Sequence, residues 1–432
     1  IYSFNDNCEF FPDVDGCELS TSGVEYYLGK PSGSVFYVER SWTGSNTGGH
    51  VVKTQKLCTE SYKTYSSNTN DNSLGGGWYV LSGTFTFNKR VTIDGDVKFI
   101  LQDGCSVEFD KGIFVKEDKT LTIYGQNGDS GYLWTDGSDG ENGSIGGNEG
   151  AKGGHVVIHG GKIYAKPGSN NCAGIGAGDG KYGMQSITIY GGNITAEGKS
   201  SGAGIGGGQK NRYDNDPYFG SYDYTYTSPS VTIYGGTITA KGGNYAAGIG
   251  GGEGSSNGDI RIYGGNITAT AGKYAAGIGS GENTDLRGEI FIYGGTIKAT
   301  GGEYGAGIGA GKSGESSYRI NIYGGTITAT AGKEAAGIGG GGNGGGHLYG
   351  CITIEGGTVT AEGGEKAAGI GSGKGGTIKH ESADYSMYFS GGNIYATGGK
   401  YGPGVGIGSE GSIEIRLLYM TGGHLEAKSR GG

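Results

Sequence analysis

Short runs of alternating apolar and polar residues, separated by glycine, fill most of this chain. The pattern is clearest over 260–279, I-R-I-Y-G-G-N-I-T-A-T-A-G-K-Y-A-A-G-I-G, and it returns at 290–309 and 320–339. In the copy at 187–206, Ile187 and Ile189 alternate with Thr188 and Tyr190, which puts one face inside and one outside. After a Gly-Gly corner, Ile194 and Ala196 take the inside positions between Asn193 and Thr195. A third piece buries Ala203 and Ile205 and shows only glycine outward. No 3.6-residue helical period occurs in the unit. The first glycine of each pair falls at Gly160, Gly191, Gly235, Gly264, Gly294, Gly324, Gly356, Gly391 and Gly422, about 29–35 residues apart with one gap of 44. A fixed period of this size predicts stacked turns that bury a common core. The expected fold is an all-β parallel β-helix, or β-solenoid, with about three short strands per turn of roughly 30 residues.

Composition divides the chain further. Residues 1–73 are poorer in glycine and are expected to form an N-terminal cap or β-rich region; 74–130 read as atypical first turns, beginning near Gly77; 131–432 hold the regular repeats, with a Tyr-rich insertion at 209–229. Glycine stands at 102 without the Gly-X-Y period of collagen, and proline at only 6, which suits hydrogen-bonded strands. The net charge of −9 argues against nucleic acid or an anionic membrane as partner. No apolar run approaches the ~18–20 residues needed to cross a bilayer as a helix, so no transmembrane segment is expected. The opening Ile1 points to a removed leader or a fragment, and the last turn is expected to be covered by further sequence or another subunit.

Six cysteines are spread along the chain. Cys8 and Cys17 form the first candidate disulfide, Cys58 and Cys105 the second, while Cys172 and Cys351 lie too many turns apart to bridge. An extracellular setting follows from that reading.

The order G-W-Y-V-L-S-G, R-V-T-I-D-G-D-V-K-F-I-L-Q-D-G-C, K-G-I-F-V and L-T-I-Y-G-Q over 77–126 leads into the Y-G-G-T-I-T-A and A-A-G-I-G-G-G units. This succession resembles the large glycine-rich β-helix surface proteins, adhesin-like or carbohydrate-binding-like, of anaerobic gut and rumen bacteria. The resemblance covers roughly residues 50–432 and implies a secreted or wall-associated, right-handed parallel β-helix. It carries no catalytic motif.

Catalysis on a β-helix needs clustered carboxylates, often with a bound Ca²⁺. Glu253, Glu282, Glu303, Glu315, Glu362 and Glu410 fall on different corners instead, so no catalytic residue, metal ligand or cofactor is assigned and the chain is read as a non-enzyme. The stretch Asp136-Gly137-Ser138-Asp139-Gly140-Glu141 is the one candidate for Ca²⁺, against its reading as a solvated turn. Two outward columns of aromatics remain: Tyr190, Tyr234, Tyr263, Tyr293 and Tyr323 before each Gly-Gly, and Tyr245, Tyr274, Tyr304 and Tyr401 before the A-A-G-I-G strand. Each reads as a ladder that holds turns together, with a sugar-stacking platform as the alternative. The insertion carries Tyr213, Tyr218, Phe219, Tyr222, Tyr224 and Tyr226, a candidate surface for glycan or for self-association. Thr and Asn pairs such as Thr237/Thr239 and Asn266/Thr268 suggest an ice-binding array, but Lys162, Tyr164, Lys298 and Tyr395 interrupt it. Asn142, Asn193 and Asn266 fit glycan acceptor sequences. The leading expectation is an extracellular structural solenoid that associates with its own copies end to end or side by side. A surface adhesin or carbohydrate-binding module comes second, and a polysaccharide-active enzyme third.

Overall fold

Period-two strands with one apolar face can satisfy both their backbone and their hydrophobic side only by stacking, and this chain coils to do so. The computed structural model describes residues 34–136, 142–180, 183–209, 228–255, 257–284, 288–314, 319–343, 346–379, 385–414 and 416–431. Three parallel sheets of 13, 12 and 12 strands run the length of the described coil. Through most of the coil every third strand returns to the same sheet, giving a right-handed parallel β-helix, the hand that strand twist imposes on parallel connections. In the regular turns the first sheet holds the strands before each Gly-Gly corner, the second those after it, and the third the two-residue strands of the A-G-I-G segments.

Register is residue for residue, so like side chains stack on like. In the second sheet Ile238 pairs with Ile267, Ile267 with Ile297 and Ile297 with Ile327, while Ala240, Ala269, Ala299 and Ala329 form the next inward column. These columns are fully buried and merge into one core. The early turns fill that core with aromatics: Phe87 and Phe109 stack at 4.5 Å, and Phe99 lies 5.8 Å from Phe109. They are also shorter. Val80 pairs with Ile100, 20 residues on, whereas Ile262 pairs with Ile292, 30 residues on.

The coil begins before Gly77. Strand β3 (Tyr62–Tyr65) already pairs in parallel with Gly77–Leu81, so residues expected to lie in a separate cap belong to the first turn. Ahead of it, β1 (Phe36–Thr43) and β2 (His50–Leu57) form an antiparallel hairpin outside the three sheets.

Two glycine columns hold the corners. The second glycine of each Gly-Gly pair, from Gly161 to Gly423, has φ between +83° and +101°, a region glycine enters without strain. The glycines of the third sheet, from Gly146 to Gly406, have φ between +129° and +146°. A Cβ on any of them from Gly176 to Gly371 would sit 1.9–2.1 Å from the carbonyl oxygen of the glycine one turn on. These glycines are also buried, which corrects the expectation that this strand shows its glycines to the outside. The place of each missing side chain is taken by the next turn.

Gly279→Ala is therefore expected to lower the melting temperature far more than Gly77→Ala. Gly77 shares the dihedral strain, with φ +133°, but a Cβ there meets nothing within 4 Å. Thermal unfolding followed by circular dichroism should show about 1–3 kcal/mol of strain for Gly77→Ala and a larger loss for Gly279→Ala.

Candidate functional site

The residue before each Gly-Gly corner points outward, and its amide donates to the first sheet one turn back. Tyr190 donates to Ile158, Tyr234 to Ile189, Tyr263 to Ile233, Tyr293 to Ile262 and Tyr323 to Ile292, all at 2.7–2.8 Å. Identical backbone placement turns these side chains into a ladder. Successive ring centroids from Tyr190 to Tyr323 lie 4.7, 4.7, 4.7 and 4.9 Å apart, with planes within 20° of parallel. The column also runs the other way. His159 stacks on Tyr190 at 4.9 Å and on Tyr124 at 4.6 Å, and Trp78 packs on Tyr124 at 5.5 Å. Each such pair contributes about 0.5–1.5 kcal/mol beyond its buried area.

The hairpin lies along this column. At its base Val35, Tyr37 and Cys58 join Trp78, Val80, Ile100 and Tyr124 in a second apolar cluster, outside the core. Midway, the Arg40 guanidinium donates to the His159 carbonyl and pairs with Asp129, and the Arg40 amide donates to His159 Nδ1 at 3.0 Å. Further along, Trp42 wedges against Tyr234 at 5.6 Å and Tyr263 at 5.2 Å. Near the tip, Asn46 hydrogen-bonds the hydroxyl of Tyr293. The aromatic surface offered by the sequence as a sugar platform is thus covered by the chain itself from Trp78 to about Tyr293.

His159 is the most perturbed group here. Burial between two rings pushes its imidazole down to about 4; the Glu39 charge opposes the shift, and the charges of Arg40 and Lys56 add to it. Its Nδ1 accepts the Arg40 amide, so the neutral ring carries its proton on Nε2.

The second column is shorter than its sequence pattern. Tyr245, Tyr274 and Tyr304 stack at 5.2 and 5.7 Å, with the Lys312 ammonium over the Tyr274 ring and bonded to Glu282 at 2.7 Å. Tyr401 does not join them. Glu334 and Lys366 occupy the two intervening turns, and Tyr401 stands 54% exposed.

The remaining candidates are dispersed. Cys58 and Cys105 are free thiols, not a disulfide: Cys58 lies in the outer cluster under the hairpin and Cys105 in the central core. Burial raises both, Cys105 to about 11. Cys8 and Cys17 lie outside the described residues, as do Tyr213, Tyr218, Phe219, Tyr222, Tyr224 and Tyr226 of the insertion and residues 137–141 of the acidic stretch. Asp136 itself pairs with Lys166 at 3.7 Å. Among the described residues no group of three or more His, Cys, Asp or Glu could hold a metal ion, and no helix is long and apolar enough to cross a membrane. Asn193 and Asn266 stand exposed on the second sheet; the Asn142 side chain accepts the Glu149 amide at 3.1 Å.

The sequence pattern misses two members of this site. His159 precedes Gly160-Gly161 and so occupies the tyrosine position, a signal that was available. The hairpin was also legible, as two alternating runs, F-Y-V-E-R-S-W-T and H-V-V-K-T-Q-K-L, around the turn-forming G-S-N-T-G-G.

Comparison with known proteins agrees with the fold. The Beta helix repeat family matches residues 156–179, 187–209, 231–253, 260–282, 292–312, 320–342 and 352–374, one match per turn, which supports the parallel β-helix of these turns. Searches of curated proteins and of solved structures returned no match.

Two outcomes follow. An unfolded histidine titrates near 6.5 and the buried one near 4, so between these values the unfolded chain takes up a proton that the folded chain refuses. Stability owed to His159 is intact above about pH 6.5 and falls as the pH drops toward 4; His159→Phe should flatten that slope in melts recorded across this range. Trp42→Ala should loosen the hairpin, seen as faster proteolytic cleavage within residues 44–49 while the coil stays resistant.

Proposed function

We propose that this chain is a structural β-solenoid that works outside the cell as a stiff rod and associates with other copies of itself. The observation that carries this reading is the use of the aromatic column: its rings bind turn to turn and lie beneath the chain's own hairpin, so the largest candidate ligand surface serves cohesion. The extracellular setting draws support from the resemblance to glycine-rich surface proteins. Side-by-side association has a surface suited to it in the second sheet, where Thr237/Thr239, Asn266/Thr268 and Thr326/Thr328 lie in outward rows of mostly polar, uncharged side chains. Charged residues such as Lys298 interrupt the rows and would fix the register of a neighbour. A second reading, carbohydrate binding by exposed tyrosine, is favoured by one observation, the exposure of Tyr395, Tyr401 and Tyr419 near the end of the coil.

Negative-stain electron microscopy across a dilution series tests the structural role. Thirteen stacked strands at ~4.8 Å give a rod about 60 Å long. Paired or bundled rods whose number rises with concentration are the expected result; isolated rods at every concentration would sink the self-association.

A further inference from the structure

The hairpin is fastened at its middle by one histidine. The Arg40 amide donates to His159 Nδ1 at 3.0 Å, and the Arg40 guanidinium donates to the His159 carbonyl and pairs with Asp129. Asp129 is engaged on its other oxygen too, which accepts the Gly161 amide at 3.0 Å. The ring itself is 7% exposed and lies between Tyr124 and Tyr190, with Glu39 of β1 and Lys56 of β2 acting on it from the hairpin. A proton on Nδ1 would turn the acceptor of the Arg40 amide into a second donor and set a cation beside a buried guanidinium. That conflict falls on the hairpin and not on the coil. His159 is held in the first sheet by its own amide, which donates to Ile123 at 2.8 Å. Strands β1 and β2 instead form a two-stranded sheet of their own, and β2 is exposed at His50 and from Lys53 to Lys56. A two-stranded hairpin is marginal without support, so losing its central fastening releases it as a unit.

We propose that the hairpin is an acid-released strap: a proton on His159 lifts it from the aromatic column and bares the rings from Tyr124 to Tyr263, while the three sheets stay intact. Under the strap the imidazole titrates near 4, and in water it returns toward about 6.5, so the open form takes up a proton that the closed form refuses. Opening is therefore favoured as the pH falls through this interval, and the open fraction rises about a hundredfold from pH 7 to pH 4. Tyr37, Tyr124 and Tyr190 stay neutral across it, since burial raises all three. Glu39 and Asp129, the carboxylates nearest the histidine, are the rival sources of an acid response.

The test is hydrogen–deuterium exchange of the full chain between pH 7 and pH 4, read by mass spectrometry, with each rate divided by that of the free peptide at the same pH. Protection of residues 36–57 should fall about a hundredfold over this range and return on neutralisation, while residues 260–354 keep theirs. His159→Phe keeps a ring between Tyr124 and Tyr190 but cannot take a proton, so its hairpin should show the same protection at both pH values, set lower by the lost acceptor. If that variant fails to fold, or its hairpin is open already at pH 7, His159→Gln decides the matter, since it offers the Arg40 amide an acceptor that does not titrate. Three results would each overturn the proposal: wild-type protection that does not change with pH, hairpin and coil losing protection together, or a fall in the variant as large as that of the wild type, which would hand the response to Glu39 or Asp129.

Discussion

Hydrogen bonds from each turn to the next carry this fold, and they form only because the backbone of one turn may enter the space where a side chain of its neighbour would be. The third sheet makes the dependence plain. A two-residue strand such as Ile278–Gly279 offers few bonds of its own, and the Gly279 position lies against the Gly309 carbonyl. Any other residue there would push the turns apart and break the registers of all three sheets together. Stacked inward isoleucines and alanines then supply the apolar burial that an isolated turn lacks.

Equal spacing between turns has a second effect, on the outside. Once backbones repeat at a fixed step, any side chain repeated in sequence becomes a stack, and a planar side chain becomes a column of parallel rings. Tyrosine exploits this from Tyr190 to Tyr323, and His159 holds the same position at the cost of staying neutral in a dry environment. The hairpin answers the exposure that such a column creates. Arg40 reaches the His159 carbonyl and Asp129, and Trp42 covers the edges of two tyrosine rings.

Legibility in the sequence follows the range of the interactions. The repeat, its inward columns and the tyrosine ladder depend on residues a fixed distance apart, and so could be read directly from Gly160 to Gly422. The covering of the ladder could not, because Trp42 meets Tyr234 and Tyr263 across about two hundred residues with no pattern linking them. The free thiols of Cys58 and Cys105 were misread for the same reason: which of two clusters each side chain enters is decided by the hairpin's placement. The buried glycines of the A-G-I-G strands were read as a surface because alternation tells in from out but does not say what neighbouring backbone lies there. Tyr401 parted from its column because two substitutions, Glu334 and Lys366, fall between copies that otherwise match.

A stack in which each layer touches only its neighbours is free to fray from either end, one layer at a time. The hairpin changes that for part of the rod. By touching Trp78 at one end and Tyr263 at the other, it links turns that share no direct contact, so loss of any one of them also costs the hairpin its seat. The strapped turns gain a common melting unit, while those after Tyr323 keep the layer-by-layer behaviour of a simple array. One molecule thus joins a cooperative block to a tail that can open independently.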